Sequence, residues 1–242
     1  MEKEALDYFI NHAGSPNGVI DGGIAIFAAG NEYAGNPAFP GAYSKCVCVS
    51  SVAADFTPAC YTDYGTLVTL SAPGGDLEYY GKIGEAEDEF WAETTEQKGA
   101  ILSTMIQNGK PAYGYMEGTS MACPHVSGVA ALGLSYAVKQ HRHYRAADFV
   151  SLMKRSVKDL DGYYTGGATK TYYMNHTTVG ASPEIVNLSK YIGKMGTGLI
   201  DAVQLLNNIK NKENSSDMKL PNVYIGLEKT TTLNLPSYFE GV

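Results

Sequence analysis

The stretch Ile24-Ala25-Ile26-Phe27-Ala28-Ala29 is apolar without a break and stops at Gly30-Asn31. It is too short for a helix, and a strand with one wet face would alternate apolar and polar residues. What fits is a strand of a parallel sheet, buried on both faces and ending in a loop. Cys46 to Ala53 is a second such run, and Leu67 to Leu70 a third, stopped by Ser71-Ala72-Pro73-Gly74-Gly75. Open sheets of this α/β class collect their ligands outside the carboxyl ends of the strands, so Asn31 stands where chemistry is expected.

Helical periodicity appears between and after these runs. Ala5 to Ala13 reads as a short amphipathic helix with Leu6, Phe9 and Ile10 on one face, followed by a loop from Gly14 to Gly18. A long helix is expected from Ser120 to about Gln140. Val126, Val129, Ala130, Leu132, Gly133, Leu134 and Ala137 make it apolar nearly all round, which predicts burial. Further helices are expected over Ala146 to Ser156 and Leu199 to Asn207, a short strand over Ile101 to Ile106, and loop from Gly162 to Ser182.

Two segments stand apart. From Asp76 to Gly99 the chain turns acidic around its only tryptophan, Trp91, and reads as a solvated insertion, with a metal site or substrate flap as the alternative. Residues 207–219 are polar and aperiodic, as a linker is. Residues 220–242, with alternating Val223, Ile225 and Leu227, read as the start of a truncated β-rich accessory domain.

The 242 residues, 44% of them hydrophobic, suit one sizeable domain or one plus a fragment. The net charge of -7 and the absence of a Lys/Arg stripe give no electrostatic footprint for nucleic acid. No apolar run approaches the roughly 20 residues of a membrane span. The four cysteines, Cys46, Cys48, Cys60 and Cys123, lack Cys-x-x-Cys spacing and read as buried free thiols.

The stretch with most chemistry is Gly118-Thr119-Ser120-Met121-Ala122-Cys123-Pro124-His125-Val126, which places a serine at the mouth of the long helix. A helix N-terminus leaves about four N–H groups unpartnered and carries roughly half a positive charge, so it favours negative charge developing beside Ser120. Gly118 lets a substrate backbone come close, and Pro124 suits a first turn that has no internal bonds to lose. A simple Thr/Ser helix cap explains the same residues, and local chemistry alone does not choose between the two. His125 lies about 140° round the helix from Ser120 and is expected to be structural.

The stretch resembles the active-serine signature of the subtilisin-like serine proteases (subtilases). Other landmarks follow in that family's order: Ala28-Ala29-Gly30-Asn31, Phe39-Pro40-Gly41-Ala42-Tyr43, Tyr64-Gly65, Ala72-Pro73-Gly74, and Gly196-Thr197-Gly198-Leu199-Ile200-Asp201-Ala202. The resemblance covers residues 1–206. It implies a three-layer α/β/α fold with a mostly parallel sheet, here without the N-terminal half of that sheet. It implies that Ser120 is the nucleophile and that Asn31 completes an oxyanion hole. Ala28, Ala29 and Gly30 would wall the primary specificity pocket with Glu32 near its rim, and Gly118 and Thr119 would meet substrate. Glu117 departs from the asparagine that many relatives carry there.

The family also uses a histidine in a His-Gly context and an aspartate in an Asp-(Thr/Ser)-Gly context, both earlier in sequence. None of the five histidines precedes glycine, and Asp21, Asp63 and Asp161 do not fit. The chain alone is therefore expected to be inactive. It should bind the missing half of its catalytic domain or self-associate, because a sheet edge and an apolar face are left open. The family takes polypeptide substrates, is usually secreted or placed in the cell envelope, and needs no cofactor for its chemistry. It commonly binds structural calcium, although no ligand loop stands out here. A catalytically dead binding or scaffold module on the same fold is the alternative. An α/β-hydrolase is excluded because Ser120 lacks the Gly-x-Ser-x-Gly context.

Overall fold

A computed structural model describes residues 2–14, 18–76, 99–172 and 184–211. Helix α1 (Glu2–His12) leads through the short β1 (Ile20–Asp21) into β2 (Ile26–Ala28), β3 (Val47–Val52) and β4 (Leu70–Pro73). A hairpin follows, β5 (Ile101–Gln107) and β6 (Lys110–Met116), then the long helix α2 (Thr119–Lys139). After β7 (Tyr144–Arg145), α3 (Ala146–Arg155) and β8 (Val157–Lys158) come a second hairpin-like pair, β9 (Thr169–Tyr172) with β10 (Glu184–Asn187), and finally β11 (Leu199–Ile200) and α4 (Ala202–Lys210).

The central sheet has the order β2-β3-β4-β11-β8. Its first three pairings are parallel, and β8 closes it antiparallel to β11. The α/β class with a mostly parallel sheet is thus present. Every residue of β3 is buried, Ser50 and Ser51 included; the Ser50 hydroxyl donates to the Asp63 carbonyl at 2.6 Å, and Ser51 Oγ and the Tyr61 hydroxyl lie 2.8 Å apart in a hydrogen bond. β2 is only half-buried, contrary to the expectation for Ile24 to Ala29, because it lies at the edge of the sheet.

Helix α2 packs its Ala122, Val126, Ala130 and Ala137 face against β2, β3 and β4, and Phe149, Leu152, Leu205 and Ile209 of α3 and α4 close the same core. By length and composition α2 could cross a membrane; here it is the core helix of the sheet. Its opposite face is open, with Leu132 and Val138 exposed, so the expected all-round burial is not met. A second core is rich in tyrosine: Tyr61, Tyr164, Tyr172 and Tyr191 pack with Val52, Leu188 and Met195. Cys46, Cys48 and Cys60 are buried free thiols and Cys123 is half-buried.

Several boundaries move. The third strand is Leu70–Pro73, so Ser71, Ala72 and Pro73 extend it instead of stopping it; Ser71 and Ala72 are buried in register with Ser50 and Ser51. The closing helix begins at Ala202, because Asp201 caps it by accepting from the Gln204 N–H at 2.9 Å, and Leu199–Ile200 is a strand. That helix runs to Lys210, so the first residues of the expected linker 207–219 are helical. Thr169–Tyr172, expected as loop, is strand. Residues 77–98, most of the acidic insertion, and the tail 220–242 lie outside the described residues. Asp76, at the start of that insertion, is fully buried and not solvated: its carboxylate meets the Lys170 ammonium at 2.7 Å.

Candidate active site

The site lies where β2 ends and α2 begins. Gly30 has φ +121°, a conformation few other residues adopt, and a Cβ there would overlap the Asp63 carboxyl and crowd the Glu32 Oε2 atom. The next residue, Asn31, is exposed, but its side chain is anchored. Asn31 Oδ1 accepts from the Thr119 N–H at 2.9 Å and the Thr119 hydroxyl at 2.7 Å. A backbone N–H can only donate, so the oxygen of the amide must face Thr119. The Nδ2 group is left to point elsewhere.

It points towards Ser120. Gly118, the N-cap of α2, has φ 141° and ψ 160°, and the position its Cβ would occupy is 3.6 Å from Asn31 Nδ2 and 3.6 Å from the Ser120 nitrogen. Two donors therefore flank one small space above the first turn of α2. Among the described residues nothing accepts from the Ser120 N–H, while the Met121 and Ala122 N–H groups go to the Gly118 carbonyl at 2.9 and 3.2 Å. The Thr/Ser cap alternative is not what forms: the N-cap is glycine without a side-chain cap bond, and the Thr119 hydroxyl is spent on Asn31.

Gly118 is itself held from below. Its N–H donates to the Gly74 carbonyl at 2.9 Å and to the Tyr61 hydroxyl at 2.8 Å. That hydroxyl donates in turn towards the Gly75 carbonyl at 2.6 Å, and burial keeps its pKa well above the usual tyrosine value. Tyr61 was not foreseen. Nothing in its sequence context marks it, because its partners lie 13, 14 and 57 residues away.

The remaining expected residues divide. Ala28 is half-buried and Gly30 donates its N–H to Thr119 Oγ1 at 3.3 Å, so both stand beside the site. Ala29 turns inward to pack with Cys48 and Val68, and its side chain takes no part in a pocket wall, since successive residues of a strand face opposite ways. Glu32 is exposed, yet its Oε2 folds back onto the Asn31 N–H at 2.9 Å. His125 binds the Met121 carbonyl through Nδ1 at 2.8 Å and makes no bond to Ser120. Pro124 lies within α2 beyond its first turn, so its missing N–H deprives the Ser120 carbonyl of the usual helical partner. An apolar groove of about 430 Å³ runs beside this end of α2, bounded by Ile101, Met121, Pro124 and Leu132.

Among the described residues no histidine stands near Ser120 Oγ as a base. His143 does pair with Asp21 at 2.8 Å, but it follows the C-terminal end of the 21-residue α2, roughly 30 Å of helix from Ser120.

At the mouth of α2, beside the edge strand β2, an asparagine and a serine thus converge with a glycine between them. The chain belongs to the subtilase family: the family model (peptidase S8) matches residues 3–181. Halolysin of Haloferax mediterranei is 35% identical over 137 residues, 57% of this chain and 20% of that protein. The extracellular basic protease of Dichelobacter nodosus is 24% identical over 201 residues, 83% of this chain and 26% of that protein. The major intracellular serine protease of Bacillus subtilis is 30% identical over 148 residues, 58% of this chain and 38% of that protein. The chain thus spans well under half the length of these relatives. Among solved structures, a protease of Pseudoalteromonas arctica matches the fold with a TM-score of 0.52 at 24% identity, over 77% of this chain and 42% of that one.

Proposed function

We propose that this chain carries the serine and oxyanion half of a subtilisin-type serine endopeptidase site. The observation that carries the reading is the pair of hydrogen bonds that Thr119 donates to Asn31 Oδ1, which leaves the amide nitrogen for substrate. Ser120 Oγ attacks the scissile carbonyl while a histidine takes its proton. The carbonyl oxygen becomes an oxyanion that accepts from the Ser120 N–H and Asn31 Nδ2. Collapse expels the amine, which receives the proton from histidine and leaves an acyl-serine ester; water then repeats the sequence and frees the acid. The described residues offer Ser120 no such histidine. The base and its aspartate come from the rest of the catalytic domain, which in the family precedes this part, and the chain alone is inactive.

The polypeptide substrate passes Ala28, Gly30, Gly118 and Thr119, with Glu32 at the rim of the primary pocket. The open face of α2 and the free edge of β2 bind the complementary part of the domain, or a second copy in its absence. Relatives named extracellular proteases favour secretion or the cell envelope as the location.

The test is a fluorophosphonate probe on the full-length protein. Labelling that disappears in Ser120→Ala is the expected result, and labelling that survives it would remove the nucleophile assignment. A full-length protein that never labels would favour the alternative, a binding module on an inactive subtilase fold.

A further inference from the structure

The loop that bears Asn31 is held by a residue with no part in the reaction. Asp63 is 1% exposed. Its Oδ1 accepts from the Glu32 N–H at 3.0 Å and the Ala34 N–H at 2.7 Å, and its own N–H donates to the Gly30 carbonyl at 3.0 Å. The Tyr33 N–H donates to the Tyr61 carbonyl and the Tyr64 N–H to the Ala34 carbonyl, so residues 30–34 are stitched to 61–64 along their length.

The second carboxyl oxygen of Asp63 lies over Gly30 beside Glu32 Oε2. The two carboxyl groups thus meet over Gly30, and the same Glu32 Oε2 accepts from the Asn31 N–H at 2.9 Å. Two ionised carboxylates brought together over one residue repel, so the arrangement favours a proton between them. Asn31 is thus held at both ends: its side chain by Thr119, and its backbone N–H by the Glu32 carboxyl.

We propose that Asp63 is the positioning residue of the Asn31 loop and acts through one proton shared with Glu32. This rests on the oxyanion role of Asn31. With the proton in place, Glu32 is held against the Asn31 N–H. Once it is lost, two adjacent carboxylates repel, the exposed Glu32 turns to solvent, and Asn31 loses that bond. The Asp63 Oδ1 keeps both its N–H donors in either state, so the change is confined to Glu32 and Asn31.

Burial, and then the neighbouring Glu32, push Asp63 up to about 6, which places the change close to neutral pH. The other titratable groups facing Asp63 are the Cys48 thiol of β3, pushed up to about 12 by burial, and Tyr64, raised chiefly by burial. The Lys190 and Lys194 ammonium groups sit over the rings of Tyr33 and Tyr64.

The test is an NMR titration of the isotopically labelled chain, following the Asp63 carboxyl carbon and the Asn31 N–H. The Asp63 carboxyl is expected to titrate with a midpoint of about 6, and the Asn31 N–H resonance to move with the same midpoint. In Asp63→Asn the new amide donates to Glu32 at every pH, so the Asn31 resonance should stay still through that range. In Glu32→Gln, a change at an exposed side chain that leaves the fold intact, the Asp63 midpoint should fall below the wild-type value. An Asp63 midpoint near the ordinary value of about 4 would overturn the proposal. So would an Asn31 resonance that titrates alike in wild type and Asp63→Asn, or a midpoint unmoved by Glu32→Gln, which serves if Asp63→Asn does not fold. The oxyanion reading fails separately: Asn31→Ala labelling with the fluorophosphonate as fast as wild type would sink it and leave the titration standing.

Discussion

A single methyl group at Gly118 tests the site most directly. Its φ of 141° and ψ of 160° fall in a region that is essentially glycine's alone, and forcing another residue there costs about 1–3 kcal/mol. The added Cβ would also enter the space between Asn31 Nδ2 and the Ser120 N–H, 3.6 Å from each. Gly118→Ala in the full-length protein is therefore expected to unfold at lower urea and to label with fluorophosphonate at least about a hundredfold more slowly. In subtilisin the loss of one oxyanion donor lowers kcat by about 10²–10³, and that protein's figure sets the scale. Undiminished labelling would place the oxyanion elsewhere. Thr119→Val removes one of the two donors to Asn31 Oδ1 and should slow labelling by about two- to tenfold, the worth of one neutral hydrogen bond of about 0.5–1.5 kcal/mol. Asp63 carries a pH signature. Its folded pKa is raised, so the stability of its protonated form is fully present below the unfolded value and is lost as pH rises through about 6. The urea midpoint of wild type should accordingly fall relative to Asp63→Asn between about pH 4 and about pH 6; parallel curves would contradict the raised value. As candidates, Ser120 stands out through the contiguous stretch from Gly118 to Val126, and Asn31 through its place just after the apolar run that ends at Ala29. Asp63 was weighed only as a triad candidate, because its work is done on backbone N–H groups 29 and 31 residues away.

At the scale of elements, reading succeeded where one element buries itself and failed where it depends on a neighbour. The run around β3 is apolar but for Ser50 and Ser51 because both faces are covered, and that shows in sequence. Lys110–Met116 is a strand that propensity does not announce, because Pro111 and Gly114 lower it. Yet Asn108-Gly109, both at positive φ, is the strongest short hairpin signal and would have found it. Gly133 is another case of dependence on neighbours. Mid-helix glycine costs about 1 kcal/mol against alanine, but a Cβ here would come within 2.8 Å of Leu205 Cδ2 and 3.0 Å of Phe149 Cζ, where α4 and α3 close on α2. The crowding should win: Gly133→Val is expected to destabilise by about 1–3 kcal/mol in urea unfolding. A gain in stability would mean that α4 yields easily. Lys170 and Asp76 join β9 to the end of β4, with side chains 9% and 0% exposed. Lys170→Met leaves a buried carboxylate uncompensated and should cost about 3–5 kcal/mol, whereas adding Asp76→Asn to it should restore part of the loss. Equal stability of the single and double variants would deny the pair its role.

At the scale of the whole molecule, the apolar composition of α2 and its partial exposure belong together. A helix apolar nearly all round is made for two covered faces. Here the sheet, α3 and α4 cover one; the other presents Leu132 and Val138, 49% and 57% exposed, close to the apolar groove at Ile101, Pro124 and Gly128. The strand β2 lies at the same margin of the fold with one side unpaired in the central sheet. Composition shows the amount of apolar surface, but not which part of it these residues cover, since that depends on how the elements pack. Water against such a face is unfavourable by roughly 25 cal/mol per Å², and a second copy is the nearest cover available to the isolated chain. It is therefore expected to sediment as a dimer or larger species at micromolar concentration. The double change Leu132→Glu and Val138→Glu should shift it to monomer without altering its helical circular dichroism, because neither side chain belongs to the buried core. Adding the complementary part of the catalytic domain should dissolve the self-association in wild type and fail to bind the double variant. A wild-type chain that sediments as a stable monomer would show that the open face of α2 tolerates water and needs no partner.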